Sequence, residues 1–473
     1  MLSIIKRQSN HFTLIMRIAL PIIVQGLVFQ LQAVVDKAFL GRIDTNYLSA
    51  VGIAQLPFLT SVEVLTAICT GLTIIVATKF GAGKYKDIPI SVNASISFSL
   101  LFSLLLFLIW LAFPDVIFTW INVDETLLPY CMDYVRALSF FLILFGLDIS
   151  LQAALQGMGK TKVIMYVGLV KVLLNILLAW LLIFGRFGFP AMHVKGAALA
   201  VTISNLTGSL ILIAYFILSR ELSANMRLFD ILRFRWSYYK EIIRLGLPTG
   251  IEYLLWNVSN LVLISLLNQQ DNQVVAIYTV TFTIEIFVYM IFNGIARATL
   301  TLVGNHIGAG NKKAAKSLMT SSILYSMIFV LLFCLLFALI PKAILSIFSN
   351  DMELIEASSF YLIVRGITMF PKSLNVVVGS GNRANGDVKW MLYTQIFGSV
   401  FVIVSAYSLL YGLNLGVMAI YLTLFLDELL RAILNTLRFY KGNAFQPLPF
   451  LSLKSKAGIQ VEDSLCRQGN TLE

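Results

Sequence analysis

"GAGK" at residues 81–84 and "GAGN" at residues 308–311 decide how this chain is organised. From Gly81 to Gly308 is 227 residues, and the same offset separates Leu20-Pro21 from Leu247-Pro248 and "QGMGKTK" at 156–162 from "RANGDVK" at 383–389. It also carries the "IFG" ending at Gly185 onto the "LYG" ending at Gly412. Unrelated short matches do not keep one register across separated landmarks, so the chain reads as two copies of one unit.

The residues around these landmarks are apolar. The chain is 58% hydrophobic and 12% charged, with a mean hydropathy of +0.85, and it contains repeated apolar runs of about 20 residues, enough to cross a bilayer as helices. Twelve candidate spans fall at roughly 13–40, 48–79, 92–114, 132–156, 162–185, 196–219, 245–267, 274–303, 317–340, 355–379, 389–411 and 415–439. The predicted fold is an all-α membrane protein with twelve transmembrane helices in two pseudo-symmetric six-helix bundles. The expected divisions are an N-lobe at 1–219, a cytoplasmic linker at 220–244, a C-lobe at 245–440 and a polar cytoplasmic tail at 441–473. An even number of spans per half starts both halves on the same side, making them parallel repeats about an axis along the membrane normal. In the linker, "FDILRFRW" at 229–236 has the pattern of an interfacial amphipathic helix.

Basic residues set the expected orientation. With the N-terminus in the cytoplasm, Lys84, Lys86, Lys160, Lys162, Lys312, Lys313, Arg383 and Lys389 fall on inside loops, against Arg42, Arg186, Lys195 and Lys342 outside. Both termini are therefore expected in the cytoplasm of a multi-pass cell-membrane protein, with a bacterial inner membrane as its location. The net charge of +11 is accounted for by this bias, and no nucleic-acid partner is needed to explain it. "MLSIIKRQSN" leads into an apolar run longer than a signal-peptide core and without a cleavage site, so the first span is expected to be retained.

Other chemistries find little support. Cys69, Cys131, Cys334 and Cys466 lack paired spacing, and His11, His193 and His306 lack ligand spacing. "GAGK" lacks the spacing of a phosphate-binding loop and no strand precedes it, so a tight turn between helices is expected. No metal, no cofactor and no enzyme activity is predicted.

The informative residues are charges inside spans, because each ionised group at the bilayer centre costs about 2.5–3.5 kcal/mol on insertion scales. In "VFQLQAVVDKAFLG" at 28–41 the charge is Asp36, and Gln25, Phe29, Gln32 and Asp36 form one stripe on the first span. The fourth span carries Asp148, the fifth Lys171 and Asn175, and the sixth Thr202. Carboxylate, amide oxygen and hydroxyl suit a sodium ion or a proton held in a hydrogen-bond network. Lys171 near Asp36 favours the ionised carboxylate and repels sodium, and a fixed Asp36–Lys171 salt bridge is the plain structural alternative. In the second half, Glu252, Trp256 and Ser259 share a face, Glu285 lies on the eighth span, and Arg365 and Lys372 lie on the tenth. Lys372 is expected to pair with Glu252 or Glu285. Asp427, Glu428 and Arg431 read as an internal salt bridge of the last span. Glu63 on the second span is another buried acid candidate.

The first-span proline followed by "VVDKAFLG", the "GAG" loop, "QGMGKTK" and "NILLAWLLIFG" at 175–185 together resemble the multidrug and toxic compound extrusion (MATE) family, over about 13–440. The resemblance implies a V-shaped pair of six-helix lobes that expels organic, usually cationic compounds by alternating access in exchange for protons or sodium. It implies a coupling-ion site at Asp36, Asn175 and Thr202, with Asp148 and Lys171 beside it, and a possible sodium ion at the first three. Two departures favour protons. Ala179 stands where archaeal-type members have an aspartate, and Trp256 and Lys372 stand where sodium-driven members have a glutamate and an aspartate. The expected substrate cavity takes Gln25, Phe29, Gln32, Glu63, Glu252, Trp256, Glu285 and Lys372. Its partners would be a small-molecule substrate and the lipid bilayer, and a monomer is expected. The runner-up is a lipid-linked oligosaccharide or lipid precursor flippase of the same superfamily, for which Arg365 and Lys372 would supply basic groups. A membrane receptor or enzyme would need a sensing domain or a catalytic dyad, and neither is visible.

Overall fold

The structure, a computed structural model, describes residues 2–219, 236–269 and 272–441, all of whose regular elements are helical. The tail from 442, the linker from 220 to 235 and all of "FDILRFRW" but Trp236 lie outside the described residues. The first half runs α1 (Leu2–Gly41), α2 (Thr45–Gly81), α3 (Ile88–Ala112), α4 (Pro114–Trp120), α5 (Leu128–Ser139), α6 (Leu142–Gly157), α7 (Thr161–Phe184) and α8 (His193–Leu218). The second runs α9 (Trp236–Asn268), α10 (Asn272–Gly308), α11 (Lys312–Leu339), α12 (Pro341–Leu345), α13 (Met352–Ala384), α14 (Val388–Tyr407) and α15 (Val417–Lys441).

Ten of the described helices are long and apolar enough to cross a membrane, and α5 with α6, bent by 54°, make an eleventh. The remaining span is α15, whose middle carries Asp427, Glu428 and Arg431 and is therefore less apolar than the rest. The chain is thus an all-α, multi-pass membrane protein. Pro21, Pro57, Pro248 and Pro371 lie inside helices, which spanning helices tolerate where neighbours satisfy the freed carbonyl.

The duplication is exact in backbone detail. Gly83 and Gly310, 227 residues apart, both turn with positive φ, 70° and 74°. Gly159 and Gly386 do the same at 75° and 81°, each ending a helix by a bond from the next residue, Lys160 N to Leu155 O at 2.8 Å and Asp387 N to Asn382 O at 3.0 Å. The first glycines of the two "GAG" motifs serve a different purpose. A Cβ on Gly81 would strike the backbone of Asn305, and one on Gly308 would strike the backbone of Thr78, a reciprocal close crossing of α2 and α10. Only the last glycine of each motif makes the turn.

The chain forms two compact units. One takes Val24–Val76 and the described residues of Lys84–Gly250; the other takes Met1–Ile23, Ala77–Gly83 and the described residues of Ile251–Glu473. The first unit packs its apolar core around Phe58, Trp110, Phe118, Cys131 and Phe141. The second has a core around Phe292, Phe337 and Met369 and another around Leu263, Tyr278 and Ile420.

Candidate functional site

Within the first unit, the stripe on α1 places Gln32 buried, Gln25 and Asp36 half-buried and Phe29 exposed. Gln32 Nε2 lies 3.5 Å from Asp36 Oδ2, at the long limit of a hydrogen bond. Tyr134, buried on α5, interacts electrostatically with Asp36, and its hydroxyl accepts from Gln55 Nε2 at 2.9 Å. Glu63 is half-buried on α2.

Lys171 belongs to another cluster. Its Nζ donates to the two oxygens of Asp148 at 3.1 and 3.0 Å, and Gln152 Nε2 donates to Asp148 Oδ2 at 2.6 Å. The stem of Lys171 runs over Gly208 of α8, where a Cβ would collide with it. The ammonium expected beside Asp36 is therefore held by Asp148, because the bare face of Gly208 gives a long side chain a path to α6. Asn175 is buried one turn further along α7. Thr202 is buried on α8 and donates to the carbonyls of Ala137 at 2.9 Å and Leu138 at 3.4 Å. These carbonyls close α5 just before the 54° bend, where a helix end leaves acceptors short of partners.

Within the second unit, Glu285 of α10 holds two cations of α13: Arg365 Nε at 2.8 Å from Oε2, and Lys372 through Oε1. Of the two acids open to Lys372, the partner is Glu285. Glu252 pairs instead with Arg383, in the last turn of α13. Helix rise explains the choice: Lys372 and Arg383 are eleven residues apart, about 16 Å along the axis, so an acid at the Arg383 end is out of reach of Lys372. On α15, Arg431 Nη2 lies 2.6 Å from Asp427 Oδ2 and 3.4 Å from Glu428 Oε1, while its Nη1 donates to Gln395 Oε1 at 2.6 Å. Glu428 also accepts from Asn375 Nδ2 at 2.8 Å, and Asn435 Nδ2 donates to Asn375 Oδ1 at 2.7 Å. The Arg365 guanidinium lies over Tyr278, Phe282 and Tyr421, its central carbon 5.1, 5.7 and 5.2 Å from the ring centroids.

A family model, MatE, matches residues 21–181 and again residues 248–408. Its second match begins 227 residues after the first, the offset of the internal repeat. The chain belongs to the MatE family. Among similar proteins, a probable multidrug resistance protein NorM of Thermotoga maritima is 27% identical, with 90% of this chain and 92% of the relative covered. An uncharacterized transporter, YisQ, of Bacillus subtilis is 23% identical over 91% of this chain and 94% of its own length. A transporter of the MOP superfamily from Pyrococcus furiosus, described as having a binding pocket of reversed polarity, has the same fold with a TM-score of 0.84 at 19% identity, covering 90% of this chain and 95% of its own. The eukaryotic MATE transporter AtDTX14 gives 0.79 at 18% identity, covering 93% and 97%.

The two halves of this MatE chain use the repeat differently. Gln25 and Gln156 of the first half correspond by offset to Glu252 and Arg383 of the second, so a neutral pair of positions became an ion pair. Lys171 corresponds to Gly398, over which the stem of Arg431 now runs. In the first half the cation is on α7 and the glycine on α8; in the second the cation is on α15 and the glycine on α14. Sequence reading did not single out Tyr134, Gln55, Gln152, Asn375, Gln395 or Asn435 as site residues, and it placed Arg383 on a loop. Aligning the halves by offset was the available signal for Arg383 and for Asn375, which stands in the register of Asp148.

Proposed function

We propose that this MatE transporter is a secondary antiporter that expels small amphipathic, cationic organic compounds by alternating access in exchange for protons. The observation that carries the reading is Asp36: a half-buried carboxylate on a spanning helix, beside the amide of Gln32 and the phenol of Tyr134, while Lys171 is engaged by Asp148. A carboxylate in neutral surroundings within a membrane favours taking up a proton, and it releases that proton when water and charge reach it. Asn175 and Thr202 complete the proposed coupling site, Gln25, Phe29, Gln32 and Glu63 contribute to substrate contacts, and Asp148 with Lys171 braces α6 to α7. The names of the relatives from Thermotoga maritima and Vibrio cholerae, both multidrug resistance proteins, support the efflux reading. The basic loops support cytoplasmic termini in a bacterial inner membrane. The flippase alternative gains nothing from Arg365 and Lys372: they share Glu285, which leaves too little positive charge for a pyrophosphate.

The test is transport of a fluorescent organic cation by the purified protein in proteoliposomes, with pH and sodium gradients imposed separately. A pH gradient alone should drive uptake. Transport driven by sodium alone would replace the proton with sodium at Asp36, Asn175 and Thr202, and transport driven by neither would remove the antiport reading.

A further inference from the structure

The charge cluster of the second unit is unbalanced in two opposite ways. Two cations, Arg365 and Lys372, share the single carboxylate of Glu285, which leaves one net positive charge. Two carboxylates, Asp427 and Glu428, share the single guanidinium of Arg431, which leaves one net negative charge. Both groups line one cavity with about 460 Å³ of empty space. Each group also presents an unused atom. Among the described residues, Arg365 Nη2 and Asp427 Oδ1 are buried without a hydrogen-bond partner, on residues only 2% and 4% exposed. A buried donor and a buried acceptor left unmet each cost about 1–3 kcal/mol, which an occupant with complementary groups would recover.

We propose that this cavity binds a small zwitterion, an α-amino acid with an aromatic side chain. The carboxylate accepts from Arg365 Nη2 and faces the positive group, while the ammonium donates to Asp427 Oδ1 and faces the negative one. The spacing suits so short a molecule. The Arg365 guanidinium lies over Tyr421, and Asp427 follows six residues later on α15, about 9 Å of helix. A hydrogen bond of about 2.9 Å at each end leaves roughly 3 Å between the two ligand groups, the separation of amine and carboxylate on one α-carbon. Trp256, Tyr278 and Phe282 line the same cavity and offer faces and edges to an aromatic side chain. A molecule with a single charge would satisfy one group and leave the other buried and unmet. The site lies wholly within the second unit and requires nothing of Asp36.

The experiment is equilibrium titration of the full-length protein in lipid nanodiscs, with no ion gradient, using L-tryptophan and L-phenylalanine beside their methyl esters, which keep only the amine, and their N-acetyl forms, which keep only the acid. The free amino acids should bind saturably, and each single-charge analogue about tenfold or more weakly, the loss of one charged hydrogen bond. Asp427→Asn should weaken the amino acid while sparing the N-acetyl form, and Arg365→Gln should weaken it while sparing the ester. If Arg365→Gln does not fold, the double variant Glu285→Gln with Arg365→Gln removes the pair together and should give the same selectivity. Esters that bind as well as the parent amino acids, or monodisperse wild-type protein that binds none of them at millimolar concentration, would overturn the proposal and leave water as the occupant. Because no gradient is applied, failure here is separate from failure of the dye-transport test of proton antiport.

Discussion

Lys171 and Asp148 are bound ammonium to carboxylate at 3.0 Å inside the first unit, on α7 and α6, with side chains 14% and 4% exposed. A spanning helix with a lysine one turn before Asn175 is thereby neutralised locally, and the chemistry at Asp36 is decided by groups without formal charge, Gln32 and Tyr134.

Breaking that pair should cost stability before it changes coupling. Lys171→Met strands Asp148 and is expected to destabilise the protein by about 3–5 kcal/mol. Adding Asp148→Asn should recover much of the loss, since the two residues share one interaction. Unfolding in detergent followed by tryptophan fluorescence measures both. In the folded fraction the pH midpoint of efflux should stay in place, because the ammonium acts on Asp148; a shifted midpoint would return Lys171 to the Asp36 site.

Asp36→Asn should abolish pH-driven efflux at normal expression and unchanged thermal stability. Asparagine keeps the shape of the side chain and cannot exchange a proton. Near-normal pumping by this variant would remove Asp36 from the coupling step.

Gly208→Ala places a methyl group against the stem of Lys171. A cost of about 1–3 kcal/mol is expected from overpacking, and Lys171→Ala in the same chain should relieve part of it. The related change Gly398→Ala presses on Arg431 and Asp427 and should be relieved by Arg431→Ala but not by Lys171→Ala. Thermal unfolding of the six variants reads out the pattern.

Double-mutant cycles should assign the acids of the second unit. Glu252 with Arg383, and Glu285 with Lys372, should each show a coupling energy of about 0.5–3 kcal/mol. Glu252 with Lys372 should be additive within error, and coupling between those two would contradict the pairing described above.

Twelve spans, the duplication and the intramembrane charges were legible in sequence because they depend on local quantities: apolar length, register and the rarity of ionisable groups in hydrocarbon. The bend between α5 and α6 was not legible, since "LSFFLIL" at 138–144 is as apolar as an unbroken helix. Its mark was Thr202, which donates to the two carbonyls at the break from another helix. The role of the "GAG" glycines was half legible. A turn follows from Gly83 and Gly310, but the reciprocal crossing at Gly81 and Gly308 joins residues that are hundreds of positions apart.

By itself the sequence determined that this chain is a duplicated, all-helical membrane protein with Asp36 exposed to the energetics of the bilayer, because hydropathy, helical period and a constant offset are carried by residues close in the chain. Only the tertiary structure decided which charges meet. Lys171 reaches Asp148 over a bare glycine, Lys372 reaches Glu285, and Glu252 reaches Arg383. A long side chain can follow several directions from one helical position, and the partner it finds depends on which neighbouring helix leaves room, a property of packing that no single helix contains.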